Sequence, residues 1–351
     1  MQPTTHIVAP DTERVLAIMI DYHLGDFTIA LPVIEALAAY YEHGIDLAVF
    51  HSHTSLVKLL PSAAKIHMFP YVTEKKKRDL RQHFNFAALA GKLALQRFQA
   101  VFTLSGRTPC ALLTWATRAK TRIGTEVARN RWAYNDIPPR TQHVHRIDIY
   151  APLLTRIGIQ GRPPICKLVL PEESQGRARE SVVSAFGEAT DYAVIHPTAG
   201  KACREWPADR FAHVADQLIT RWDMPVCLVG TPAERERLDA LRGRMEHAQR
   251  VAVLTESLDV TLSLLKFCRL FVCNFSGPTH LAGLSTEAPI VCISGPTNKE
   301  HWALLRDHDV TMLSGPICKT RCKKDNCTIG MVCMRDVTVE QVLNAIDVHL
   351  Q

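Results

Sequence analysis

Apolar runs of strand length alternate along the chain with longer segments whose apolar residues recur at helical spacing. The runs predict strands at 14–21, 46–50 and 100–104 and, in a second series, at 192–196, 225–229, 250–254, 270–274 and 289–293. The helical spacing predicts helices at 29–41, 80–97, 107–118, 208–222, 233–245, 258–268, 277–284 and 337–350. This alternation indicates an α/β protein whose parallel sheets carry helices on both faces.

Two connecting stretches separate the two series of strands. One contains Pro and Gly at 158–164, and the other is polar at 171–175. We therefore predict two Rossmann-like, doubly wound domains, 1–165 and 166–351, that face a central cleft. A length of 351 residues fits two domains. Ligands of such sheets bind outside the carboxyl ends of the strands, so the loops that follow the strands are the candidate sites.

The loop after the first strand carries Gly25 and Asp26. Asp26 is expected at or near the start of the following helix, and two interpretations of it stay open. An aspartate there can cap the helix. A carboxylate held in a cleft can instead take a proton from an attacking hydroxyl, as a general base does.

Two loops of the second series carry charged residues that suit a nucleotide. Thr198, Lys201 and Arg204 follow the strand 192–196 and precede a helix, an arrangement that favours phosphate binding. The alternative is an ordinary loop with surface cations. Glu234 follows the strand 225–229, where it can bind ribose hydroxyls or place a favourable charge in the first turn of a helix.

A third loop has the sequence NFSGPTHLAG at 274–283. Its Ser276, Gly277 and Thr279 offer hydroxyl and amide donors to a diphosphate. His280 is either a ligand or a packing residue. The chain contains neither GxxxxGK[ST] nor GxGxxG, which argues against a P-loop NTPase and a dinucleotide-dependent oxidoreductase.

Taken in order, these loops resemble the motifs of glycosyltransferase family 9, the ADP-heptose:lipopolysaccharide heptosyltransferases. The matching stretches are LGDFTIALPVIEAL, HPTAGKACREWPADRFAHVADQL, VGTPAERE, FSGPTHLAGL and SGPTNKEHW. The resemblance implies a GT-B fold and an inverting, metal-independent transfer of a heptose from a nucleotide-diphosphate donor, ADP-heptose, to a lipopolysaccharide core, lipid A or a related glycan. It implies that the first domain binds the acceptor and the second binds the donor.

The same resemblance assigns roles to individual residues. It implies that Asp26 is the general base, that Ser276, Gly277 and Thr279 cradle the diphosphate and that Glu234 contacts the ribose. His280 belongs to the same donor-binding motif.

The chain departs from the family motifs at two positions. Arg204 stands where the family has a lysine, and Phe275 stands where it has an aspartate close to the donor sugar. Phe275 leaves open a changed donor specificity, or a paralogue that binds a nucleotide or a partner without turnover. A nucleotide-sugar epimerase of related fold is a further alternative.

Composition limits the partners of the protein. Apolar residues make up 47% of the chain and charged residues 22%, with a formal charge of +6. This mild excess fits an anionic substrate or a membrane surface and does not indicate nucleic acid. Since the N-terminus is polar, we expect a cytoplasmic protein. Its positive charge also fits peripheral contact with the inner membrane. Lys75, Lys76 and Arg78 form either a solvated helix start or an acceptor-binding patch.

Four of the 11 cysteines are clustered before the last predicted helix. Cys318, Cys322, Cys327 and Cys333 have spacings that fit a tetrahedral structural site for zinc or iron. Disulfides are the alternative, and a reducing compartment disfavours them. We expect no cofactor for catalysis.

Overall fold

The computed structural model describes residues 8–21, 23–62, 64–69, 80–139, 144–187, 191–306, 308–316, 327 and 329–351. The chain divides into two compact units, Met1–Val169 (unit 1) and Leu170–Gln351 (unit 2). Among the described residues, no helix is both long and apolar enough to cross a membrane.

Unit 1 contains a five-stranded parallel sheet of order β3-β2-β1-β4-β5. Its strands are β1 Val15–Met19, β2 Ile45–Phe50, β3 Ala64–Phe69, β4 Ala100–Thr103 and β5 Thr121–Gly124. Its α-helices are α1 Leu24–Tyr40, α2 Thr54–Val57, α3 Leu80–Leu95 and α4 Thr108–Ala116. The central strand β1 is buried at every position, as expected of a parallel strand covered on both faces.

Unit 2 contains a six-stranded parallel sheet of order β11-β10-β9-β6-β7-β8. Its strands are β6 Ala193–His196, β7 Val226–Val229, β8 Val251–Leu254, β9 Leu270–Asn274, β10 Ile290–Ile293 and β11 Val310–Leu313. Its α-helices are α5 Glu172–Phe186, α6 Ala208–Trp222, α7 Arg235–Arg242, α8 Leu258–Phe267, α9 Gly277–Ser285, α10 Lys299–Trp302, α11 Val332–Arg335 and α12 Val339–Leu350.

Each sheet has one point where the order of its strands reverses. In unit 1 the chain adds β2 and β3 on one side of β1 and then places β4 on the other side. In unit 2 it adds β7 and β8 on one side of β6 and then places β9 on the other. Ligands of doubly wound sheets bind at such switch points, so the loops after β1, β4, β6 and β9 define the candidate site.

Among the described residues the predicted strands are all present, but the sequence analysis missed three strands and four helices, α2, α5, α10 and α11. The missed strands β3, β5 and β11 are all edge strands, and two of them have only four residues. Edge strands carry a weaker apolar pattern because only one neighbour pairs with them. The helix α5 was missed because its sequence is largely polar.

Candidate active site

The first charged group of the site lies at the start of α1, directly after the central strand of unit 1. Asp26 is the third residue of α1, and His23 occupies the N-cap position, so the capping interpretation of Asp26 is wrong. The Asp26 side chain is 13% exposed, and Arg146 Nε donates a 2.8 Å hydrogen bond to its Oδ1. Asp26 is therefore a mostly buried carboxylate that one arginine holds in place.

A second carboxylate, Asp21, follows β1 and is itself buried. Nε and Nη2 of Arg107 each donate a 3.2 Å hydrogen bond to it, and the His23 backbone N–H donates one of 3.1 Å. Burial raises the pKa of Asp21, but the hydrogen bonds from His23 and the charge of Arg107 outweigh burial and lower the pKa to about 2. Asp21 therefore stays ionised at any physiological pH.

The pKa of Asp26 is shifted in the opposite direction. Burial raises it, the charge of Arg146 opposes that rise, and the nearby negative charge of Asp21 adds to it. The ligand atoms of Asp21, His23 and Asp26 lie within 4.8 Å of one another, a spacing that a cation could bridge. However, Arg107 and Arg146 already neutralise both carboxylates. The arrangement is therefore better suited to proton transfer than to a metal ion.

A cavity of about 850 Å³ lies at the carboxyl edge of the unit 1 sheet. Its titratable lining residues include Asp21, His83, Arg107, Arg129 and Arg146. Part of its wall is aromatic and consists of Phe50, Phe69, Phe86 and Tyr150. Because cations outnumber carboxylates here, the cavity suits an anionic ligand that also presents apolar or ring surfaces.

Sequence reasoning missed several residues of this edge. Arg107 follows β4, so the rule about loops after strands could have found it, whereas the predicted strand 14–21 extended two residues past β1 and included Asp21. Arg146 lies 120 positions from Asp26 along the chain, and no sequence pattern connects them. The buried His53 ring stacks on Phe27 at 4.5 Å, and burial lowers the pKa of His53 to about 4, so it is neutral at pH 7.

In unit 2, the loop after β6 brings a neutral imidazole to the edge of the sheet. His196 is buried, its Nε2 lies 3.5 Å from the hydroxyl oxygen of Thr198, and burial lowers its pKa. Of the two cations among the predicted phosphate ligands in this loop, Lys201 is half-buried and Arg204 is exposed. The loop thus places two cations within one short turn after the buried His196 and Thr198.

Glu234 holds the loop after β7. Its carboxylate accepts hydrogen bonds from the Thr231 N–H at 2.8 Å and from the Thr231 hydroxyl at 2.6 Å. Burial raises the pKa of Glu234, but these hydrogen bonds outweigh it, and the pKa falls below its usual range. Glu234 therefore places a negative charge in the first turn of a short helix, which is one of its two interpretations. Its contact with a ribose stays a prediction.

The loop after β9 is held in part by Thr279, a residue predicted to bind the diphosphate. Thr279 is fully buried, donates a 2.9 Å hydrogen bond to Asn274 O and accepts one of 3.1 Å from the Ser276 N–H. Asn274 Oδ1 in turn accepts a 2.9 Å hydrogen bond from the Trp206 N–H. The hydroxyl of Thr279 therefore fixes the turn, whereas Gly277 begins α9 and leaves its first turn open to an anion.

Phe275 packs beneath this turn. It is 5% exposed, and its ring meets the buried His280 ring edge-on at 5.0 Å. The Phe275 N–H donates a 2.9 Å hydrogen bond to Ile293 O, which ties the turn to β10. Of the two interpretations of His280, ligand or packing residue, this geometry fits the packing residue.

Three buried polar atoms lie at the carboxyl ends of three neighbouring strands in unit 2. They are His196 Nδ1 in the last residue of β6, Ser276 Oγ after β9 and Thr297 Oγ1 after β10, and none makes a hydrogen bond within the described part of the chain. Leaving such an atom unpartnered costs about 1–3 kcal/mol. Three such atoms at the ends of neighbouring strands around the switch point indicate a polar ligand that supplies the missing partners.

The sequence matches the model of glycosyltransferase family 9 (heptosyltransferase) over residues 86–332, which is more than half of the chain. The chain belongs to glycosyltransferase family 9. It is therefore an enzyme that transfers a sugar, as its motifs predicted.

Named relatives agree with this assignment. The glycosyltransferase is 22% identical over 289 residues to lipopolysaccharide heptosyltransferase 3 of Escherichia coli, covering 79% of this chain and 82% of that one. It shares its fold with a family 9 glycosyltransferase of Veillonella parvula (TM-score 0.83, 21% identity, 98% and 99% of the chains). It also shares it with the E. coli ADP-heptose LPS heptosyltransferase II (TM-score 0.76, 18% identity, 96% and 98%). These structures confirm the predicted GT-B fold.

Two groups of predicted residues fall wholly or partly outside the described part of this glycosyltransferase. Lys75, Lys76 and Arg78 lie outside it, as do Cys318 and Cys322.

The two described cysteines of the cluster lie close to each other along the chain. Cys327 Sγ accepts a 3.2 Å hydrogen bond from the Met331 N–H, and Cys333 is buried in α11. A more distant solved relative, TibC of E. coli (TM-score 0.56, 12% identity, 97% and 77% of the chains), is described as iron-containing. The metal site of this chain stays a prediction.

Proposed function

We propose that this enzyme transfers a heptose, with inversion and without a metal ion in the reaction, from ADP-heptose to a lipopolysaccharide core or a related glycan. Membership in family 9 supports the class of reaction. The relatives named for ADP-heptose and lipopolysaccharide, at identities of 18% and 22%, support the donor and the acceptor.

The observation that carries the mechanism is the buried pair of Asp26 and Arg146, with a 2.8 Å hydrogen bond between them. The raised pKa of Asp26 makes it a stronger base than a solvated aspartate. In the proposed reaction the acceptor hydroxyl gives its proton to Asp26 and its oxygen attacks the anomeric carbon of the heptose. The bond from that carbon to the diphosphate breaks, and the diphosphate leaves with the electron pair.

The leaving diphosphate gains negative charge, and unit 2 offers groups that can stabilise it. The first turn of α9 presents backbone amides, and Lys201 and Arg204 supply positive charge. The unpartnered atoms of His196, Ser276 and Thr297 would complete the binding of the nucleotide. We therefore assign the donor to unit 2.

The cavity of unit 1 is our candidate for the acceptor. Its cations Arg107, Arg129 and Arg146 fit the phosphates and carboxylates of an anionic glycan. Its aromatic wall fits the faces of sugar rings. The basic residues Lys75, Lys76 and Arg78 precede α3 in the sequence, and we keep them as candidates for the same acceptor.

We also keep the structural metal site as a proposal. The iron content printed for TibC makes iron the first metal to test at Cys318, Cys322, Cys327 and Cys333. Metal analysis of the purified protein, before and after substitution of Cys318 and Cys322 by Ser, tests this assignment. Metal content that is unchanged by the substitutions would contradict it.

Asp26→Ala tests the proposed function. We expect transfer from ADP-heptose to fall about 100- to 10,000-fold, because a general base contributes that much. Thermal stabilisation by ADP should remain, because Asp26 belongs to unit 1 and the donor to unit 2. The matched control is Glu42→Gln, which removes an exposed carboxylate just beyond the end of α1 and should leave both quantities unchanged.

A panel of ADP-, GDP- and UDP-sugars in the same thermal assay identifies the donor. The largest stabilisation should come from ADP-heptose. Near-full transfer by Asp26→Ala would show that the base is misassigned. Nucleotide binding without transfer to any lipid-core acceptor by the unmodified enzyme would favour a non-catalytic paralogue, and turnover of the donor without an acceptor would favour an epimerase.

A further inference from the structure

An exposed apolar surface lies beside the cavity of unit 1. It consists of Leu112, Trp115, Val127 and Trp132, whose exposed fractions are 38%, 59%, 44% and 56%, and we call it the tryptophan patch. The rings of Trp115 and Trp132 meet edge-on at 6.0 Å. Scattered exposed apolar residues are common in proteins, but a contiguous group with two tryptophans marks an interaction surface.

The tryptophan patch stands on a packed support. Leu112 and Trp115 are three residues apart on α4, so they share one face of that helix. Beneath the patch, a buried cluster joins α4 to the following loop and consists of Ala111, Ala128, Ala133 and Tyr134. Asn130 Nδ2 also donates a 3.0 Å hydrogen bond to the Thr108 hydroxyl. The two indole rings are thus presented by a structured platform.

Positive charge surrounds the tryptophan patch. Between residues 107 and 132 the chain has six Lys or Arg residues and one acidic residue, Glu126. Arg118, Lys120, Arg129 and Arg131 are exposed. An apolar, indole-rich surface within a ring of cations is complementary to the interface of an anionic bilayer, where tryptophan rings lie at the level of the headgroups.

The patch is continuous with the cavity. Leu112, Val127 and Arg129 line the cavity as well as belonging to the patch or its basic surround. A molecule with a polar, anionic head and a lipid anchor could therefore place its head in the cavity while its anchor stays in the layer that the patch contacts.

We propose that the tryptophan patch docks this enzyme on an anionic lipid bilayer and that an acceptor anchored in the same bilayer enters the unit 1 cavity directly from the membrane. The second half of this inference rests on the proposed function, because that function assigns the acceptor to the cavity. The docking itself does not depend on it. The contact is peripheral: the indole rings and cations reach the interface, and no segment needs to span the bilayer.

Vesicle flotation of the full-length chain tests the docking. We expect the protein to float with vesicles of phosphatidylcholine mixed with phosphatidylglycerol, and to do so less as salt increases. Trp115→Gln combined with Trp132→Gln should lower the partition coefficient about tenfold or more. Arg118→Gln combined with Arg131→Gln should lower it about tenfold on the mixed vesicles and leave the weak binding to pure phosphatidylcholine unchanged.

The matched control replaces apolar residues that are at least as exposed but lie elsewhere. Leu95→Gln combined with Val348→Gln removes side chains that are 84% and 73% exposed, and it should leave partition unchanged. Failure of the unmodified protein to float with the mixed vesicles would overturn the proposal, as would equal partition of the double tryptophan variant. So would a tryptophan variant that changes only the oligomeric state in analytical ultracentrifugation, because a second copy would then cover the patch.

A soluble acceptor separates this inference from the proposed function. Transfer to a core oligosaccharide without its lipid should be the same for the double tryptophan variant and the unmodified enzyme, whereas transfer to vesicle-embedded acceptor should fall with the partition. If the soluble acceptor is not glycosylated but vesicle binding still depends on the tryptophans, the proposed function fails and the docking stands. If the double tryptophan variant partitions less to the vesicles but still transfers to the vesicle-embedded acceptor as fast as the unmodified enzyme, the entry route is wrong.

Discussion

The two units place opposite kinds of chemistry at the same point of the same topology. In unit 1 the loops after β1 and β4 bring together Asp21 and Arg107, and Arg146 joins them by binding Asp26. Each of these four charged groups has an opposite charge within hydrogen-bonding distance. In unit 2 the loops after β6 and β9 bring neutral His196 and Ser276 to the edge, each with a buried atom that has no described partner.

In unit 1 the charges are already paired before a substrate binds, whereas in unit 2 buried polar atoms lack partners among the described residues until a ligand binds. Paired charges keep their geometry when no substrate is bound, and their mutual fields set the pKa of Asp26 in advance. Unpartnered neutral atoms cost stability until a ligand supplies the missing hydrogen bonds. The paired charges of unit 1 therefore fit the proposed proton transfer, and the unpartnered atoms of unit 2 fit the proposed binding of the donor.

Phe275→Asp would break the comparison most strongly, because it introduces a carboxylate into the neutral edge of unit 2. Phe275 is buried against His280, so we expect the free energy of unfolding to fall by about 3 kcal/mol from the lost packing and the buried charge. Chemical denaturation measures the loss. The matched control, Phe275→Leu, keeps an apolar residue and should cost about 1 kcal/mol.

The opposite result would restore the functional interpretation of this position. If Phe275→Asp folded with unchanged stability and discriminated more strongly between ADP-heptose and ADP, the residue would face the donor sugar. It would then determine donor specificity, as the family motif implies for the aspartate at that position.

The local motifs were predictable from the sequence, and the partners that tune them were not. Strand runs and Gly-Pro turns revealed both doubly wound units and the positions of Asp26 and Ser276, because these features are local in sequence. Arg146 comes from a segment with no strand or motif next to it, and only the folded chain brings it to Asp26. The sequence also gave no sign that the hydroxyl of Thr279 is consumed within its own turn.

Arg146→Gln would sharpen the comparison by leaving Asp26 without its cation. Arg146 lowers the pKa of Asp26, so removing it should raise that pKa further. The base must be ionised to act, and the acidic limb of kcat/KM should therefore move to higher pH. We also expect a loss of about 2 kcal/mol in the free energy of unfolding at neutral pH, because one partner of a mostly buried pair is removed. This loss should shrink at acid pH, where Asp26 is protonated.

Asp21→Asn is the variant of opposite sign. The negative charge of Asp21 raises the pKa of Asp26, so its removal should move the acidic limb of kcat/KM to lower pH. Two limbs that move in the same direction would contradict the electrostatic account, because the charges of Arg146 and Asp21 act on Asp26 with opposite sign. Limbs that do not move would show that another group is the base.

The smallest expected effect is on ADP binding, and it distinguishes a hydroxyl that binds the ligand from one that does not. Ser276 and Ser285 lie at opposite ends of α9, about 13.5 Å apart along the helix axis. The hydroxyl of each is buried without a described partner. Ser276→Ala should weaken ADP binding about fivefold, the value of one net hydrogen bond. Ser285→Ala should leave ADP binding unchanged, since that end of the helix faces away from the carboxyl edge of the sheet.

Ser285→Ala should fold at least as stably as the parent, because it removes a buried polar atom that gains no described partner on folding. Titration calorimetry with ADP and thermal unfolding without it separate the two effects. Equal loss of ADP affinity in both variants would mean that the change acts through the helix as a whole. Loss of stability in Ser276→Ala without loss of affinity would mean that this hydroxyl holds the turn, as Thr279 does. Either result would contradict the inference that Ser276 binds the ligand, and the contrast between the two units depends on that inference.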